Sequence, residues 1–261
     1  MTLVVESSTE RLVKSTERVR DLGEVFTPNA TVQEMLDLLP PSIWEPHPSA
    51  TFLEPACGDG NFLIAILDRK LDLIARVHAQ QKLPAGATIE AAQYHGLEAL
   101  ASIYAVDIST DNIVGGTPGH EIGARSRLLT MFAEWNYEAL GKRLNERSLV
   151  VRSATWIVEH NLIVGNMLPL DTAGKSTGRD LIPLIEYTWD PGDLTVSLKK
   201  TTLGDVIATE DAKTATMLSL FAPAEPEQIW RGKATNLSDA EHVVAPKLRG
   251  PERNGTGRRS S

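Results

Sequence analysis

The residue types that could do chemistry in this chain gather at the ends of apolar runs. Ala50-Thr51-Phe52-Leu53 leads into Glu54-Pro55-Ala56-Cys57-Gly58-Asp59-Gly60, and a helical pattern begins at Asn61. Gly58 and Gly60 have no Cβ, so the backbone can turn sharply there and approach a ligand closely. The N–H groups opening the next helix, with its dipole, suit a carboxylate or a phosphate. A second run, Ile103-Tyr104-Ala105-Val106, ends at Asp107. In a dinucleotide site an acid at that place accepts hydrogen bonds from ribose hydroxyls. A third run, Leu162-Ile163-Val164, is followed by Gly165-Asn166, and a fourth, Leu184 to Trp189, by Asp190-Pro191. The glycine turn suits a carboxylate or phosphate and Asp107 a ribose, although many α/β proteins turn this way. A helix-capping aspartate and an asparagine in a left-handed turn remain the plain alternatives at Asp107 and Asn166.

The string Phe52-Leu53-Glu54-Pro55-Ala56-Cys57-Gly58-Asp59-Gly60-Asn61-Phe62-Leu63 is more specific than a bare Gly-x-Gly. It resembles the cofactor loop of the adenine-N6 DNA methyltransferases, whose E/D-P-A-C/S-G-x-G-x-F/L pattern binds S-adenosylmethionine. The nicotinamide pattern wants a third glycine and usually lacks the Glu-Pro pair. Upstream, Gly23-Glu24-Val25-Phe26-Thr27-Pro28 is similar to the F-T-P element of the same family, and Asn161-Leu162-Ile163-Val164-Gly165-Asn166-Met167-Leu168 resembles its third-strand pattern. The resemblance implies cofactor contacts at Phe26, Thr27, Pro28, Glu54, Pro55, Ala56, Cys57, Gly58, Gly60 and Asn61. It also implies Asp107 on the ribose, Ile108 against the adenine, and Asn166 on the adenine's exocyclic amine.

In that family an Asp or Asn, two prolines and an aromatic follow the fourth strand and hold a flipped-out adenine. No such tetrad occurs in this sequence. Asn166-Met167-Leu168-Pro169 and Trp189-Asp190-Pro191 are the segments that stand in its place, and chain order favours the second. Asp190 and Pro191 are therefore the catalytic candidates. The expected activity is S-adenosylmethionine-dependent methylation of adenine N6 in DNA, as in the modification half of a restriction-modification system. The missing tetrad keeps open a catalytically degenerate cofactor-binding subunit that assists a partner, and a third class would methylate a substrate other than DNA. Little after Val206 is long enough for a target-recognition domain, so specificity is expected to come from a partner subunit or to be absent.

The elements that must position these residues alternate strand with helix. Helical spacing is expected over Ser8 to Asp21, over Thr31 to Leu39, from Asn61 through Val77, through Ile89 to Leu100, and over Ala124 to Leu144. Strands separated by such helices imply βαβ units, so the expected fold is α/β, a doubly wound and mostly parallel Rossmann-like sheet with a helical insertion before Ile103. Asp111 to Gly119 reads as a glycine-rich turn and Thr195 to Val206 as a hairpin arm. The expected division is an N-terminal helical, basic segment over 1–22, a methyltransferase domain over 23–220, and a largely disordered tail over 221–261.

Composition narrows the classes further. No run approaches the length of a membrane helix, and the N-terminus has no apolar signal stretch, so a soluble cytoplasmic protein is expected. Cys57 is the single cysteine, which excludes an intramolecular disulfide and a thiolate-rich metal site. The six histidines never show H-x-x-x-H spacing, so no metal is expected. The net charge of −8 argues against a broad nucleic-acid coat, although both ends of the chain are locally basic.

Overall fold

The first three apolar runs pair with one another. The computed structural model describes residues 27–80, 85–116, 122–214 and 228–244. Strands β1 (Phe52–Glu54), β2 (Ile103–Asp107) and β3 (Leu162–Val164) form a parallel sheet in the order β1-β2-β3, with Phe52 opposite Ile103 and Asp107 opposite Val164. Parallel neighbours need long crossovers, and here these are helical. Helix α1 (Asn29–Asp37) precedes β1. Helices α2 (Asn61–Ala79) and α3 (Ala85–Ala101) join β1 to β2, and α4 (Thr110–Ile113), α5 (Ala124–Leu140) and α6 (Leu149–Asn161) join β2 to β3.

Helix α2 shows why the pattern folds this way. Leu63, Ile66, Leu67, Leu71 and Ile74 recur at helical spacing and are all buried, while Arg76 in the last turn opposes the negative end of the dipole. Those apolar residues join Leu97 and Leu100 of α3, Leu128 and Phe132 of α5, and Ile157 of α6 in the main core. Ile103 and Ala105 of β2 belong to that core. Tyr104 and Val106, on the strand's other face, meet Ile182, Leu184 and Leu203 in a smaller cluster. A strand covered on both faces reads as a continuous apolar run, which is how β2 stood out in the sequence.

The fourth run departs from expectation. Strand β4 (Pro183–Asp190) pairs antiparallel with β5 (Thr195–Thr202), and β5 with β6 (Gln228–Lys233), in a separate sheet of order β4-β5-β6. The turn Pro191 to Leu194 is far too short for a parallel crossover, so the chain must double back. The fold is mixed α/β, a three-stranded parallel sheet with helices and a three-stranded antiparallel sheet. β4 does not extend the parallel sheet.

The boundaries at the C-terminal side also differ. Helix α7 (Leu203–Thr214) begins where the hairpin arm was expected to continue. β6, a 3-10 segment (Ala234–Ala240) and helix α8 (Glu241–Val244) occupy part of the expected tail. Ala234, Leu237 and Ala240 are buried in the main core, which explains why that stretch is ordered. Helix α6 was not anticipated, because its Leu149-Val150-Val151 start is rich in β-branched residues. The helix expected over Ser8 to Asp21 and everything after Val244 lie outside the described residues. Among the described residues no helix is long and apolar enough to cross a membrane.

Candidate cofactor site

The parallel sheet brings the glycine loop, Asp107 and Asn166 to one edge. The loop leaves β1 beside β2: Cys57 N–H donates to the Val106 carbonyl (3.2 Å), and Gly60 N–H to the Cys57 carbonyl (2.9 Å). Gly58 and Gly60 take φ of 54° and 95°, the left-handed region that glycine enters without Cβ strain. A Cβ on Gly60 would also stand 3.1 Å from Ala124 Cβ, because α5 starts against the loop. Helix α2 begins directly after Gly60 and has no side-chain cap.

Asp107 ties the loop to the second strand. Its Oδ2 accepts from Gly58 N–H (2.8 Å), and its Oδ1 from Ser109 N–H (2.8 Å) and from the Asn112 amide (3.0 Å). The residue is buried. A carboxylate offers about four acceptor positions, so one remains for a hydroxyl. Ile108, next in the chain, is 60% exposed, an apolar side chain open at the same edge. Gly165 N–H donates to the Asp107 carbonyl (2.9 Å), which sets Asn166 beside this pair. The Asn166 side chain accepts from Leu168 N–H (2.9 Å) in a local side-chain turn, and Asn166 does not take the left-handed conformation of its plain alternative.

The upstream element reaches the loop as well. Asn61 donates from its side-chain amide to the Thr27 carbonyl (3.3 Å), and Pro28 caps α1. Phe26 lies outside the described residues. Arg127 of α5 clamps the other side of the loop: it donates to the Asp59 carbonyl (2.7 Å) and to Asn61 Oδ1 (3.1 Å), and its guanidinium stands 3.1 Å from the Asp59 carboxylate. Arg127, Ser109 and Asn112 were missed in the sequence. Arg127 sits more than sixty positions from the loop it holds, and no local pattern announces it.

Glu54 and Cys57 have distinct states. Burial raises the Glu54 carboxyl above its ordinary value, against the lowering effect of Ala56 N–H (3.3 Å). Burial, reinforced by Asp107 and Glu54, pushes the Cys57 thiol far up. Cys57 is therefore a neutral packing residue, not a thiolate nucleophile. Exposed Pro55 and Ala56 complete the loop.

Asp190 and Pro191 lie elsewhere. β4 starts over Val106, at the site end, and runs back along the sheet. Tyr104 donates its hydroxyl to the Ile185 carbonyl, and Tyr187 to Asn161 Oδ1 (2.9 Å), whose amide in turn binds the Ala101 carbonyl (2.8 Å) ahead of β2. Trp189 packs edge-on against Tyr94 of α3, ring centroids 5.4 Å apart. At ~3.3 Å per residue, the six steps from Leu184 to Asp190 carry the carboxylate ~20 Å toward the opposite end of the sheet. There Asp190 accepts from Gly192 N–H (3.1 Å) and stands 3.5 Å from Arg231. The structure thus separates the catalytic candidates from the cofactor candidates.

No protein-family model matches the chain, and no curated protein or solved structure matches it either.

Proposed function

We propose that this chain binds S-adenosylmethionine at the carboxyl ends of β1, β2 and β3, and works as the cofactor-holding part of a DNA adenine-N6 methyltransferase. The observation that carries the reading is the hydrogen bond from Gly58 N–H to the Asp107 carboxylate. It joins the loop and the acid that the family resemblance assigns to one ligand, at the end of a parallel sheet where α/β proteins bind nucleosides. The residues fit such a ligand: an uncapped helix start for its carboxylate, a spare acceptor on Asp107 for a ribose hydroxyl, and exposed Ile108 for an adenine face. The Rossmann-like character belongs to the same proposal, and the parallel order β1-β2-β3 is compatible with one half of a doubly wound sheet.

The cofactor would supply an electrophilic methyl on a cationic sulfonium, leaving the protein to align and polarise the acceptor. Asp190 is remote from that place. Asn166, in the other segment that could stand in for the tetrad, would then be the candidate for the acceptor amine instead of the cofactor's adenine, and a partner subunit would bring the remaining groups. The remoteness of Asp190 favours this partner-dependent reading over a solitary enzyme.

Calorimetric titration of the purified chain with S-adenosylmethionine tests the site. Binding should be lost in Gly58→Val, where a β-branched side chain meets a positive φ, and retained in Asp190→Ala. A folded wild-type chain that takes up no cofactor would sink the proposal. Methyl transfer to DNA by the chain alone, abolished by Asp190→Ala, would overturn the partner-dependent reading.

A further inference from the structure

We propose a second site, for a zinc-class divalent cation, made by His47, His95 and Glu98 at the end of the parallel sheet opposite the glycine loop. It does not depend on the cofactor reading. His95 and Glu98 lie three residues apart on α3 and so share a face, and the loop before β1 delivers His47. His47 Nδ1 stands 2.7 Å from Glu98 Oε1, His95 Nδ1 stands 3.2 Å from Glu98 Oε2, and the three ligand atoms lie within 4.8 Å of one another. Ligand atoms around tetrahedral zinc, with bonds of ~2.0–2.1 Å, are ~3.3 Å apart. The His95 contact with Glu98 already has about that spacing, while the His47 contact must open by ~0.6 Å to reach it.

The surroundings are those of a built site. The Glu98 side chain is 3% exposed and that of His47 31%, which leaves an entry path beside a buried anchor. Ser49 N–H donates to Glu98 Oε1 (3.1 Å), the kind of outer hydrogen bond that orients a ligating carboxylate. Two imidazoles and one carboxylate suit zinc, whereas calcium and magnesium ask for more oxygen ligands. Solvent on the His47 side can fill a fourth position. Lys70 is the nearby cation: its ammonium meets Ser49 Oγ (2.7 Å), the Ala50 carbonyl (2.6 Å) and Ser102 Oγ (2.8 Å). Burial lowers Lys70 to about 7, against the raising effect of the Glu98 carboxylate. A bound metal would pin the loop around His47 to α3. The competing account is that Glu98 only accepts hydrogen bonds from two imidazoles.

The test uses the full chain without a histidine tag, stripped with a chelator and titrated with Co²⁺ alone. One equivalent per chain should produce the visible d–d bands of a tetrahedral cobalt centre, and Zn²⁺ should bleach them. His47→Ala, in a loop outside any helix or strand, and His95→Gln should each weaken binding on the order of tenfold or more. Circular dichroism establishes that each variant is folded. Absence of the bands in the wild type, or equal affinity in both folded variants, overturns the proposal in favour of the hydrogen-bonded pair.

Discussion

Replacing Asp107 by asparagine probes the joint between loop and sheet with the smallest change of shape. The carboxylate accepts from Gly58 N–H on one oxygen and from Ser109 N–H and Asn112 on the other. An asparagine has one acceptor oxygen, so its NH₂ must confront a backbone N–H on one side. Turning the oxygen toward Ser109 and Asn112 keeps two bonds and gives up the one to Gly58. A hydrogen bond to a charged group contributes ~1.5–3 kcal/mol. Gly58 is only half-buried, so water can partly replace the bond and the low end applies, ~1.5–2 kcal/mol. At ~2–4 °C per kcal/mol for a chain of this size, Asp107→Asn should lower Tm by ~3–8 °C. Because Gly58 also shapes the loop, S-adenosylmethionine affinity should fall by about tenfold or more, which is ~1.4 kcal/mol. Thermal unfolding by circular dichroism and calorimetric titration read the two effects. A Tm change under ~1 °C would refute the reasoning about the hydrogen bonds. A lower Tm with unchanged affinity would leave the joint but remove the cofactor from it.

Gly123→Ala should destabilise the chain by ~2–3 kcal/mol in urea unfolding, since its Cβ would meet only backbone that cannot step aside. The nearest atoms are Gly115 N at 2.5 Å and Ile113 O and Val114 C at 2.6 Å. Lys70→Met should flatten the alkaline limb of the stability curve. Burial lowers Lys70 to about 7 in the folded state, so between there and its unfolded value the unfolded chain binds more protons and stability rises with pH. The wild type should gain up to about 1 kcal/mol per pH unit over the variant from pH ~7 to ~9.5. A parallel pair of curves would contradict this. Above that window Tyr94, Tyr104 and Tyr187, all raised by burial, reverse the trend.

The sequence by itself determined the elements whose signals are local. Strand, glycine turn and helix follow one another over Phe52 to Ala79, and φ of Gly58 and Gly60, the helical face of α2 and the apolar run of β2 are set within a few residues. Asp107 and Asn166 were legible because each closes an apolar run that pairs in parallel, which carries strand ends to one edge. Tertiary structure alone decided what depends on distant partners. Periodicity says that β4 has an inward face but not which sheet it joins; β4 leaves the cluster around Val106 and runs back along the parallel sheet, taking its aspartate away from the loop. Arg127 on Asp59, and His47 beside His95 and Glu98, meet only after helices pack. No local spacing encodes such contacts, because they arise where separate amphipathic faces share one core.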